Sequence, residues 1–262
     1  MTSTTAVLHP FAQLGGYDRS GIRYLWNDTR ASKDFAFPLA EAEALAARAA
    51  AASLRARLAL CVALFEVVVA RFETLDPDPY LGRVVEAAWT SLADRRYALY
   101  DERLRSEWLG PVRGPLWCGF TWLAPALAFS DDDPSECASA LVYLVRLAHH
   151  VVPADAPLAA WLDASLQRIV QHHPAPAIGP MEDLFGRHPE WRRGPYIASS
   201  CFDLTRPCAP ERAHAEVLQA LRRVRWQDNP LLKPPAELIA EGLPGTPYDS
   251  LPAYAALQPQ SS

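Results

Sequence analysis

Lysine is almost missing from this chain. Of 262 residues only 2 are lysine, against 23 arginines. The skew, together with abundant alanine, reads as the coding bias of a GC-rich, bacterial genome. It does not add up to a basic protein, because the formal charge is -5. Nucleic-acid binders carry a basic surplus, and here only Arg222, Arg223 and Arg225 cluster, so that class is set aside. Long apolar runs are also lacking. The most apolar stretch, 58–70, is too short to span a bilayer and contains Glu66, which argues for a buried core helix and against a membrane partner.

Cysteine pairs at metal or redox spacing are absent as well. Cys61, Cys118, Cys137, Cys201 and Cys208 are odd in number and form no C-x-x-C. Residues 1–10 are rich in Ser and Thr but have no basic segment followed by an apolar one. Reduced thiols in a cytoplasmic protein are therefore expected. There is no glycine-rich phosphate loop, no G-x-S-x-G and no H-E-x-x-H, which removes the common nucleotide, hydrolase and metalloprotease signatures. No long polar linker divides the chain, so one domain over 1–262 is expected.

What is present is helical periodicity. Half the residues are apolar. Leu54, Leu58, Cys61, Phe65, Val68, Phe72 and Leu75 recur in steps of three and four and predict one long helix over 39–75. Asp76, Pro77, Asp78 and Pro79 stop it. Val85, Trp89, Leu92, Tyr100, Leu104 and Trp108 predict a second helix over 80–108, forming an antiparallel hairpin with the first. Further helices are expected over 134–149, 157–172 and 210–225, with a short one at 236–241. Residues 1–38 read as irregular, with Gly15 and Gly16 as punctuation and a short strand at 22–26. Residues 174–208 read as loop-rich, with extended segments within 196–204. Residues 110–130, broken by Gly110, Pro111, Gly114, Pro115, Gly119 and Pro125, read as an apolar loop holding at most one short helix. The proline-rich tail, 227–262, is expected to dock on the body. The fold class is thus mainly α: a single-domain, bundle-like fold of five to six main helices with long apolar loops.

Several residue groups invite a chemical reading. Asp132, Asp133 and Glu136 fit a D-D-x-x-E pattern that holds magnesium elsewhere. Asp133 before Pro134 with Glu136 behind is better read as a helix cap. His149, His150, His172 and His173 suggest metal or haem, but each pair closes a different helix, where the dipole favours a cationic imidazole. If those helices are antiparallel their ends lie about 24 Å apart, from a rise of about 1.5 Å per residue. Glu211 and His214 make one E-x-x-H where a di-iron bundle needs two. Cys201 and Cys208 lack zinc spacing and a neighbouring histidine, so no metal site is expected. Glu66 is a candidate buried acid that must find a cation or a proton.

The strongest candidate is a cluster of Arg95, Arg96, Tyr97, Tyr100, Trp117, Phe120 and Trp122. Aromatic and arginine side chains of this kind line ligand pockets and protein-binding hot spots. Arg96, Tyr97, Tyr100, Trp117, Phe120 and Trp122 are the expected contact residues, gathered round one apolar pocket. With no catalytic motif in view, the expected function is non-catalytic protein binding, as in a bacterial toxin-neutralising or adaptor protein. The alternative is a helical enzyme, haem-dependent or not, acting on a small aromatic metabolite in that pocket.

Overall fold

The structure is a computed structural model. It describes residues 17, 19–76, 78–178, 182–183 and 185–258. The expectations for 1–16, including Gly15 and Gly16, the terminal part of the tail at 259–262, and Pro77 lie outside those residues. The described residues form nine α-helices, several 3-10 turns and no strand: α1 (Leu39–Ala49), α2 (Leu54–Phe72), α3 (Tyr80–Ser91), α4 (Gly110–Phe129), α5 (Pro134–Val151), α6 (Leu158–His172), α7 (Pro189–Arg192), α8 (Ala213–Leu221) and α9 (Pro235–Ala240). No helix among them is long and apolar enough to cross a membrane. The expected strand at 22–26 is absent.

Helix α2 is the axis of the core. Almost every side chain on it is buried, from Leu58 through Phe65 to Phe72. It packs against α5, α4 and α3, and the alanine-rich α1 packs on α5. Small side chains on α1 let two helix backbones approach closely, and Gly119 does the same for α4. A Cβ at Gly119 would sit 2.8 Å from Phe65 Cδ2 and 3.1 Å from Leu147 Cδ2, so alanine would force Phe65 to shift.

The single helix expected over 39–75 is two helices. Ser53 breaks it: its hydroxyl accepts from Ala56 N–H at 3.3 Å as the N-cap of α2, and its own N–H donates to the carbonyl of His173 at 2.8 Å. A serine that bonds outward in this way competes with continued helix. Gly194 packs on it at φ +94°, a backbone conformation open to glycine, where a Cβ would meet Ser53 Cβ at 2.5 Å.

The second expected helix also ends early, at Ser91. Asp94, buried, accepts from Arg96 N–H and grips the Arg96 guanidinium at 2.8 and 2.6 Å, turning the chain into a 3-10 turn. The tail then takes the backbone that helix would have used. Ala98 bridges to Leu232, and Leu99 N–H donates to Leu231 O at 2.8 Å.

The largest correction is α4. Where an apolar loop was expected, a twenty-residue helix runs through Pro115 and Pro125. Pro111 lies in the first turn, where a missing N–H costs nothing. Pro115 removes the donor owed to the Pro111 carbonyl, and the Tyr24 hydroxyl donates to that carbonyl instead. Thr121, whose carbonyl Pro125 strands, is exposed to water. Packing of Leu116, Gly119, Phe120 and Leu123 into the core holds the rest. Helices α5 and α6 fall where expected, α8 begins after a 3-10 turn at Pro210–Arg212, and within 196–204 extended backbone at Ala198 and Asp203 flanks a 3-10 turn at Ser199–Phe202.

The described part of the tail docks on the body. Lys233 N–H donates to Tyr97 O at 2.9 Å, Tyr254 Oη to Trp191 O at 2.9 Å, and Leu238 is fully buried.

Candidate functional site

The expected contact residues are not gathered round one pocket, because each ring takes a different partner. Phe120 is buried beside Tyr80 with ring centroids 6.3 Å apart. Trp122 stacks on Tyr143 of α5 at 3.9 Å. Tyr97 is buried against Tyr248 at 4.8 Å, and its hydroxyl accepts from Tyr248 N–H. Arg96 is held by Asp94, whose carboxylate raises the guanidinium pKa. These four serve the packing of α4, α5 and the tail. Two cavities among the described residues lie elsewhere. The larger, about 420 Å³, opens between Leu39 and Ala46 of α1 and Leu141 and Tyr143 of α5. The smaller, about 350 Å³, lies near Leu54, Pro176 and Arg192.

Tyr100 and Trp117 do share a feature. The segment between the Ala98 bridge and α4 doubles back along α4 itself. It starts at the helix C-terminus, where Tyr100 meets Phe129 with centroids 5.4 Å apart. It passes the middle, where Trp117 Nε1 donates to Arg103 O at 2.8 Å and Arg105 lies 5.3 Å over the Trp117 ring. It ends at the N-terminus, where Leu109 is the N-cap residue. Twenty residues of helix give this path a length of about 30 Å. Along it Trp108 turns in, 7% exposed, while five apolar side chains turn outward: Leu104 is 69% exposed, Leu109 52%, Tyr100 47%, Phe129 46% and Leu99 44%. Between them the polar groups are satisfied locally. Tyr100 Oη donates to Glu102 at 2.8 Å, and desolvation followed by that carboxylate pushes the phenol up to about 12. Arg103 pairs with Asp101 at 2.9 Å and lies 4.1 Å over the Tyr80 ring. In the sequence Leu104 falls on the expected helical stripe, and Leu99 and Leu109 carry no mark of their own. The signal that marks them otherwise is the Asp94-Arg95-Arg96 turn, which ends the helix before they are reached.

The remaining suspects resolve one by one. Asp133 caps α5, accepting from Ser135 N–H at 2.9 Å, and hydrogen bonding from the Ser135 side chain and then from that N–H lowers its pKa. Asp131 instead reaches the buried Arg193 at 2.8 Å. Glu66, fully buried, accepts from Trp89 Nε1 at 2.9 Å. His149 stacks on Phe37 at 4.2 Å, and His150 packs among Tyr24, Trp26 and Phe35 with Nε2 3.0 Å from Leu25 O. Burial lowers the pKa of both, so packing outweighs the helix dipole that would favour the cation. His214 Nε2 lies 2.9 Å from Leu251 O in the docked tail.

The reading that Cys201 and Cys208 have no neighbouring histidine is corrected. His173 lies beside both, and the three ligand atoms are within 4.8 Å of one another. Twenty-eight residues separate His173 from Cys201, so no local spacing could have revealed the group. No family model, no curated protein and no solved structure matches the chain.

Proposed function

We propose that this protein is a non-catalytic binding protein, of the adaptor or toxin-neutralising kind, that docks another protein along α4. The observation that carries the reading is the outward row Leu99, Tyr100, Leu104, Leu109 and Phe129 on a segment whose backbone is tied down. Its ties are the Leu231 bond, the Trp117 indole and the N-cap of α4.

Scattered exposed leucines are ordinary, but a row of them on one ordered path is not. Burying a leucine or phenylalanine stabilises by about 1.5–3 kcal/mol, so several together supply a usable docking energy. The row is preorganised, which lowers the ordering cost of association. The Asp101–Arg103 and Tyr100–Glu102 pairs satisfy the polar groups interspersed along the row, so they need not be stripped of partners on docking.

The test is a Tyr100→Asp, Leu104→Glu double variant. Both side chains are exposed, so the helical circular dichroism and the unfolding midpoint stay within about 0.5 kcal/mol of wild type. Proteins captured from the source cells by wild type should be lost with the variant, and affinity for a purified partner should fall at least about tenfold, roughly 1.4 kcal/mol. Equal capture and equal affinity would remove the row from the binding site.

A further inference from the structure

We infer that His173, Cys201 and Cys208 form a site for one thiophilic divalent cation of the zinc class. The inference stands apart from the docking row on α4. Three donors of the types zinc selects, one imidazole and two thiols, converge from three places in the fold. His173 is the residue that ends α6. Its backbone is fixed on both sides: N–H donates to Ile169 O at 2.9 Å and its carbonyl accepts from Ser53 N–H at 2.8 Å. Cys201 lies in the 3-10 turn at Ser199–Phe202, and Cys208 on the loop that follows.

The loop is held in place without any ion. Arg168 of α6 donates to four carbonyl groups along it: Cys201 at 3.1 Å, Asp203 at 2.8 Å, Leu204 at 3.5 Å and Arg206 at 2.7 Å. Trp161 Nε1, from the same helix, donates to Phe202 O at 3.0 Å. Asp203 turns the chain further by accepting from Thr205 and Arg206. The histidine that caps α6 and the loop tied to the flank of α6 are therefore held by one helix. This is the outer support that ligand geometry requires.

A second observation points to a ligand. The His173 side chain is buried, 1% exposed, and its Nδ1 has no hydrogen-bond partner. A buried polar atom left unmade costs about 1–3 kcal/mol, and almost all such atoms in folded proteins are satisfied. A cation bound at the group gives the imidazole and both sulfurs a common partner.

The size also fits. The sulfur atoms are 3.1 Å apart. Two sulfurs bound tetrahedrally at about 2.3 Å from zinc stand about 3.8 Å apart. Cys208 is half-buried, next to exposed Thr205, Arg206 and Pro207, so its side chain can open by that amount and the ion has an entry path. Binding replaces the two thiol protons, and the two thiolates balance the cation. Three protein ligands leave the fourth tetrahedral position to water or an incoming ligand on the solvent side.

The experiment uses the full chain, reduced and stripped with chelator, titrated with cobalt(II) alone. The expected result is one equivalent bound, with visible bands of tetrahedral cobalt and a near-ultraviolet thiolate-to-cobalt band, both abolished by added zinc. Cys201→Ser and Cys208→Ser should each lose stoichiometric binding, and Cys61→Ser should keep it. Circular dichroism separates lost ligation from lost fold, and the half-exposed Cys208 makes its variant the safer of the two. No thiolate-to-cobalt band in the wild type, or a band that survives in folded Cys208→Ser, would overturn the site. So would reduced protein that takes up no cobalt and instead closes a Cys201–Cys208 disulfide in air, detected by intact mass.

Discussion

The Tyr24 hydroxyl donates to the one carbonyl of α4 that Pro115 leaves without a helical donor, that of Pro111. A segment far upstream thereby repairs a helix that its own composition argues against. Tyr24→Phe should cost about 0.5–1.5 kcal/mol, the net worth of one hydrogen bond. In a Pro115→Ala background the helix supplies its own N–H, so the same substitution should cost less. The check is a double-mutant cycle on urea unfolding. Equal costs in both backgrounds would mean that the tyrosine acts only through its ring.

Arg193 and Asp131 form a second long-range tie, at 2.8 Å with both side chains buried. Arg193 also donates to the Ser91 and Leu127 carbonyls, at 3.2 and 3.3 Å, so one guanidinium joins the ends of α3 and α4 to the residue after α7. Desolvation opposes its charge, while Glu190 and Asp131 hold it cationic. Arg193→Met should lower stability by up to about 3–5 kcal/mol, because it leaves the buried Asp131 carboxylate to the partly exposed Arg95, 3.4 Å away. Adding Asp131→Leu should recover part of that loss. Denaturant midpoints of the two variants decide the matter, and a double variant no more stable than Arg193→Met would count against the pair.

Acid should destabilise the fold through His149 and His150. Desolvation lowers the pKa of each below 6.5, with the Leu25 carbonyl and Asp34 opposing it at His150. The unfolded chain then takes up protons at a higher pH than the folded one. Stability from this source is present above about pH 6.5 and is lost as pH falls through the folded values. The urea midpoint should fall between about pH 7 and pH 5, and His149→Phe, which keeps the stack on Phe37, should flatten the fall. A midpoint that rises with acid over that range would contradict the sign.

The helices that could be read from the sequence were those whose ends are written locally. Asp133, Pro134 and Glu136 announce α5, and the apolar run through Leu58 and Phe65 announces a buried α2. What could not be read depends on distant partners. Nothing near Pro115 says that Tyr24 will meet the Pro111 carbonyl, so α4 looked like a loop. Nothing in the stripe of Trp89, Leu92 and Tyr100 says that Leu231 will claim the backbone at Leu99, so α3 looked too long. The same holds at the sites. Aromatic composition drew attention to the right stretch of chain, but Phe120 and Trp122 went to packing while Leu104 and Leu109, which carried no such flag, turned outward. His173, Cys201 and Cys208 meet only because α6 delivers the histidine and Arg168 folds the loop.

The docking row on α4 is tested most directly by placing a photo-crosslinking phenylalanine derivative at Leu104 and, in a separate protein, at Phe185. Both positions are exposed, at 69% and 76%, but Phe185 lies off the row. Irradiation in the source cells should give one discrete protein adduct from position 104 and none from position 185. Adducts of the same mass from both positions, or none from position 104, would contradict a partner seated along α4.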